Sequence, residues 1–135
     1  MDEVDIVVPY ISELLQIQQP TGSIMHALKS SSKGYNGFGE AYFSTVNFNK
    51  TKGWKLHQKM TLNIIVPYGD IRFVVHDGQS SNDKKPIEPL IDVVLGNANY
   101  SRLTVPPGYW MAFRGVAKNI NILMNVADIE HDPDE

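Results

Sequence analysis

The feature that most limits what this chain can become is its punctuation. From Gly22 onward, short runs of β-branched, aromatic and aliphatic residues alternate with clusters of Gly, Pro, Asn, Asp and Ser. The runs cover residues 23–28, 39–48, 54–67, 71–76, 90–95, 101–105, 109–114 and 119–127. Such text is how β-sandwiches and barrels are written, because branched and aromatic side chains suit a pleated surface while Gly, Asn and Pro supply the turns. The one helix-like stretch, residues 6–18, is interrupted by Pro9 and closed by Pro20, Thr21 and Gly22. It predicts a strand followed by a short helical turn at Ser12 to Leu15, since proline removes a donor and collides with the preceding turn. The polar loop from Asp77 to Pro86 predicts mobile surface.

With no repeat and no break in composition, the 135 residues predict one domain over 1–135 with a single core. A formal net charge of -3 offers no basic footprint, so nucleic acid is not an expected partner. The longest apolar run, Leu62 to Val66, is far below a membrane span, and no membrane association is expected. The acidic start, Met1 to Asp5, lacks the basic segment and apolar run of a signal peptide, which makes the cytoplasm the expected compartment. Absence of cysteine removes disulfides, thiolate metal sites and a cysteine nucleophile. The four histidines, His26, His57, His76 and His131, show no His-x-His pair, so neither a metal nor another cofactor is expected. His76, at a strand end, and His131, in the acidic tail, receive no role.

Strand parity narrows the candidates. If residues 54–57 are extended, Lys55 and His57 share one face, because successive strand residues point to opposite sides. In a barrel that face is either the outside, with two solvated polar residues, or one that lines the interior cavity.

Several fragments read together: GSIMHALK (22–29), FGEAYFSTV (38–46), KGWKLHQKMTLN (52–63), GDIRFVVHD (69–77), LGNANYSRLTVPPGYWMAF (95–113) and NVADIEHDP (125–133). In order and spacing they resemble a short branch of the dTDP-4-dehydrorhamnose 3,5-epimerase family, over nearly the whole chain from Gly22. The resemblance implies an all-β antiparallel jelly roll, a cupin barrel, normally a homodimer, with a metal-free active site inside. It implies epimerisation or isomerisation of a nucleotide-linked 4-keto-6-deoxysugar for cell-surface polysaccharide synthesis. The family's base histidine matches His57, and Lys55 is the cation nearest the keto oxygen. The family's proton-donating tyrosine falls on Met124 and its second histidine on Met111, which leaves Tyr42 as the substitute donor. His26, Ser44, Asn63, Tyr109 and Trp110 are the expected substrate-binding residues. A second reading from the same residues is a catalytically silent sugar-nucleotide-binding or interaction protein on the same barrel.

Overall fold

Strand pairing decides the conformation even where local signals are mixed. The computed structural model describes residues 8–78 and 88–134, and among these there is no α-helix. Eleven strands follow in chain order. They are β1 (Tyr10–Glu13), β2 (Gln16–Ile17), β3 (Ile24–Met25), β4 (Glu40–Thr45), β5 (Thr51–Leu56) and β6 (Leu62–Tyr68), then β7 (Asp70–Asp77), β8 (Ile91–Gly96), β9 (Ser101–Val105), β10 (Tyr109–Gly115) and β11 (Ile122–Ala127). They form a five-stranded sheet in the order β1-β9-β6-β11-β4, a four-stranded sheet in the order β5-β10-β7-β8, and the small pair β2-β3. Every pairing between these strands is antiparallel, giving the two-sheet jelly-roll barrel that the sequence predicts.

Two details differ from the sequence reading. The helical turn expected at Ser12 to Leu15 is replaced by β1, which pairs Tyr10 with Thr104 and Glu13 with Ser101. Ladder hydrogen bonds to β9 outweigh the weak local preference of so short a segment. The run 54–67 is not continuous but divides into β5 and β6 around residues 57–61. The mobile loop expected over residues 77–86 falls mostly outside the described residues.

The core lies between the sheets and follows period-2 alternation. Leu62, Ile64 and Val66 of β6 meet Ile71, Phe73 and Val75 of β7, with Leu95, Leu103 and Leu123 closing the cluster. Phe73 is wholly buried and its ring lies 5.5 Å from that of Phe113. Burying a side chain of this size contributes about 1.5 to 3 kcal/mol, so this layer supplies much of the driving force for closure. At the closed end Asn121, fully buried, acts as a polar hub. Its Oδ1 accepts from the Asp70 N–H (2.8 Å) and the Ala117 N–H (3.1 Å), while Nδ2 donates to Val46 O (3.1 Å) and Ala117 O (3.0 Å). That hub ties the β6–β7 turn to the segment entering β11 and leaves the opposite end of the barrel to open.

Candidate active site

The barrel interior opens into a cavity of about 440 Å³ whose lining follows from strand parity. Strand β4 sends Glu40, Tyr42 and Ser44 inward, and β10 sends Tyr109, Met111 and Phe113. Leu62 and Ile64 of β6 with Leu123 of β11 make an apolar floor, into which Asn125 brings one amide. Lys55 and His57 reach the same space from β5 and its end.

His57 is half-buried, and its carbonyl accepts a 2.8 Å hydrogen bond from the Gly108 N–H. That bond fastens the histidine's backbone to the Pro106-Pro107-Gly108 turn. Tyr42 stands on the other sheet, 46% exposed, and its hydroxyl oxygen accepts a 3.1 Å hydrogen bond from Asn125 Nδ2. The other Asn125 amide atom, Oδ1, is buried and has no hydrogen-bond partner among the described residues. Burial first, and then the Asp77 carboxylate, push the Tyr109 phenol above its ordinary pKa. Tyr109 therefore stays neutral well past physiological pH.

A second cation enters the cavity where simple alternation forbids it. Lys52 and Lys55 are three apart and belong on opposite faces of a regular strand, yet both line the cavity. Between the pairs Lys55↔Met111 and Lys52↔Phe113, the single residue Ala112 faces both Gly53 and Trp54, a β-bulge that resets parity. Only glycine fits at the bulge: Gly53 has φ of +117°, and a Cβ there would lie 2.7 Å from Met111 O and 2.8 Å from the Ala112 Cα. Lys52 Nζ then donates to Thr45 O (2.7 Å) and Ser44 Oγ (3.2 Å), which steadies its charge at the cavity wall.

Of the expected residues, the structure brings His57, Lys55, Tyr42, Ser44 and Tyr109 to this cavity and leaves three outside it. Asn63 is buried on the other face of β6. Its Oδ1 accepts from Arg102 Nε (3.1 Å) and Thr104 Oγ1 (2.7 Å), and Nδ2 donates to Gly34 O (3.1 Å). The break at 57–61 is the reason, because it cancels the parity that a continuous strand carries from His57 to Asn63. Trp110 alternates with Tyr109 and Met111 and so faces outward, paired with His76 and Leu56. His26 follows β3 and lines a separate cavity outside the five-stranded sheet. Met124 also faces away, so the β11 residue that meets the cavity near Tyr42 is Asn125.

Sequence reasoning missed Lys52, Asn125 and His131. His131 lines the cavity because the segment after β11 turns back toward it. Asp128 anchors that turn, accepting from the Thr61 N–H and from Asn36 Nδ2, each at 2.8 Å. Gly39 allows the close pass, since a Cβ there would collide with the Ile129 backbone. Among the described residues no group of three or more His, Asp or Glu side chains comes together in the manner of a metal centre.

A scan against models of protein families finds no match, and neither does a search of curated proteins. Solved structures are decisive. A dTDP-sugar isomerase from Desulfovibrio desulfuricans is 35% identical, with 93% of this chain and 79% of that chain covered and a TM-score of 0.81. The chain belongs to the dTDP-4-dehydrorhamnose 3,5-epimerase-like family of dTDP-sugar isomerases. As a member it falls in the class of sugar-nucleotide isomerases and epimerases. Two more distant structures share the fold. The RmlC epimerase of Mycobacterium tuberculosis is 15% identical, with 98% of this chain and 69% of that chain covered and a TM-score of 0.77. The 3,4-ketoisomerase QdtA of Thermoanaerobacterium thermosaccharolyticum, solved with TDP, is 15% identical, with 92% and 82% covered and a TM-score of 0.71.

Proposed function

We propose that this enzyme isomerises a dTDP-linked 4-keto-6-deoxysugar by moving one proton at the carbon beside the keto group. The observation that carries the reading is that His57 and Tyr42, from opposite sheets, line one cavity together with two lysines. His57 takes the proton from C3, and the electrons pass to the C4 oxygen, where Lys55 stabilises the enolate. Tyr42 returns a proton to C3 from the opposite face as the enolate collapses back to the C4 ketone, while Asn125 donates to its oxygen and holds the phenolate that remains. His57 then loses its proton and Tyr42 regains one through solvent, so no net charge accumulates over a turnover. Lys52 is placed to meet a phosphate, and Ser44 and Tyr109 supply hydrogen bonds to the sugar.

The enzyme further acts as a homodimer in the cytoplasm, in the supply of a deoxysugar for cell-surface polysaccharide. Support for a partner copy comes from the five-stranded sheet, where Phe43, on the edge strand β4, is 70% exposed and Tyr68, at the end of β6, is 60% exposed. Apolar side chains at an open edge invite pairing. Incubation with dTDP-4-keto-6-deoxyglucose in deuterated water, followed by NMR, tests the activity. A product with one deuterium at an inverted centre beside the keto group is expected. No deuterium uptake from this or any other 4-keto sugar nucleotide would favour the silent binding protein instead.

A further inference from the structure

A second cavity of about 360 Å³ lies on the far side of the five-stranded sheet, between β1 and the segment from His26 to Lys33. One of its walls is Arg102, a guanidinium on β9 that is only 3% exposed. Its hydrogen bonds all go to neutral acceptors. Nε donates to Asn63 Oδ1 (3.1 Å), Nη1 to Ala27 O (3.3 Å) and Nη2 to Lys33 O (2.7 Å). A guanidinium has five N–H groups, so one on Nη1 and one on Nη2 are left over among the described residues. No carboxylate forms an ion pair with Arg102 among those residues.

The surroundings add to this charge. His26, Lys29 and Lys33 line the same cavity, against the single carboxylate of Glu13. The Lys33 ammonium rests 5.1 Å from the centre of the Tyr10 ring, and Ser32 Oγ accepts from the Lys29 N–H at 2.9 Å, so the cationic segment is held in shape. Taking a guanidinium out of water is costly unless a counter-charge with good geometry offsets it, and neutral carbonyls do that only in part. A phosphate dianion matches what is left, since two adjacent N–H groups of an arginine bind paired oxygens through short charge-assisted bonds. The cavity is larger than a bare phosphate and is walled on one side by Leu14, Leu15 and Leu28, which suits a small organic remainder.

We propose that this cavity is a binding site for a phosphate-bearing small molecule, separate from the cavity in which the sugar nucleotide reacts. His26, which does not reach the reaction cavity, has its place here.

The test is isothermal titration of the full-length protein with inorganic phosphate and, separately, with glucose 1-phosphate. Four forms are compared: wild type, Arg102→Gln, the double variant Lys29→Ala with Lys33→Ala, and the double variant Lys52→Ala with Lys55→Ala. Wild-type binding is expected to weaken about tenfold or more in the first two variants, as befits loss of charge-assisted bonds, and to stay within about twofold in the third. Arg102→Gln could fail to fold because its side chain ties a loop to the sheet. The double variant at Lys29 and Lys33 alters surface residues and keeps the question answerable. Tighter binding of glucose 1-phosphate would assign the site to a phosphate monoester, and equal binding to free phosphate, either of which supports the proposal. No binding of either probe to wild type would overturn it. So would loss of binding in the variant at Lys52 and Lys55 alone, which would place the anion in the reaction cavity.

Discussion

Gly53→Ala should damage both stability and ligand binding, because one bulge sets the parity of β5 on either side of it. The new Cβ would stand 2.7 Å from Met111 O, 2.8 Å from Ala112 Cα and 2.9 Å from Ala112 Cβ, in backbone with φ of +117°. A left-handed conformation costs a non-glycine residue about 1 to 2 kcal/mol, and an extra carbon forced against packed neighbours about 1 to 3. A central figure is about 3 kcal/mol. With an unfolding entropy of about 2.1 cal/mol/K per residue, 135 residues give about 0.28 kcal/mol per degree, so Tm should fall by about 11 °C. Gly108→Ala is the control: its φ is also positive, +96°, but nothing lies within 4 Å of the added carbon, so it carries the backbone cost alone and loses about 4 to 7 °C. If β5 relieves the clash by straightening, Lys52 turns to the outer face, since a one-residue slip reverses every side chain before it. Thermal melting by circular dichroism, with titration of dTDP on the same samples, reads both effects. Equal Tm for the two variants with unchanged dTDP affinity would refute the reasoning.

Three further outcomes follow from the geometry. Lys52→Ala should weaken dTDP binding about three- to tenfold by calorimetry, less so at high salt, because an exposed cation acts through a screened field. Asn121→Ala removes four hydrogen bonds to otherwise buried backbone groups and should cost about 3 kcal/mol by chemical denaturation, with no change in the bound sugar's chemistry. Burial raises the phenols of both Tyr100 and Tyr109. A folded-state pKa above the unfolded value leaves stability intact below about pH 10 and removes it as pH climbs through the folded values, so denaturation midpoints should fall only in that alkaline range, together with absorbance at 295 nm.

Much of the architecture was legible because alternation and turn residues act locally. The runs at 101–105 and 109–114 match β9 and β10 to within a residue, since Pro106, Pro107 and Gly108 mark the turn between them. Lys55 and His57 were legible as a pair because parity over two residues survives small errors at strand ends. Parity over longer stretches did not survive. Asn63 was misplaced by a break in the strand that no glycine or proline announces, and Lys52 was hidden by a bulge whose partner residues lie about sixty positions away. Gly53 was visible as a turn residue, but its close approach to Ala112 is a tertiary fact. Asn125 was concealed by attention to Met124, its neighbour on the opposite face. His131 could not be found from its acidic surroundings, because what brings it to the cavity is Asp128 bonded to Thr61 and Asn36.

The role of His57 is tested most directly by deuterium uptake from solvent into the carbons flanking the keto group of dTDP-4-keto-6-deoxyglucose, compared between wild type and His57→Ala. A base acts on the transition state more than on the bound ground state. The variant should therefore slow uptake by at least about a hundredfold while binding dTDP within a few-fold of wild type. Uptake at the same rate in both proteins would contradict the assignment of His57 as the base.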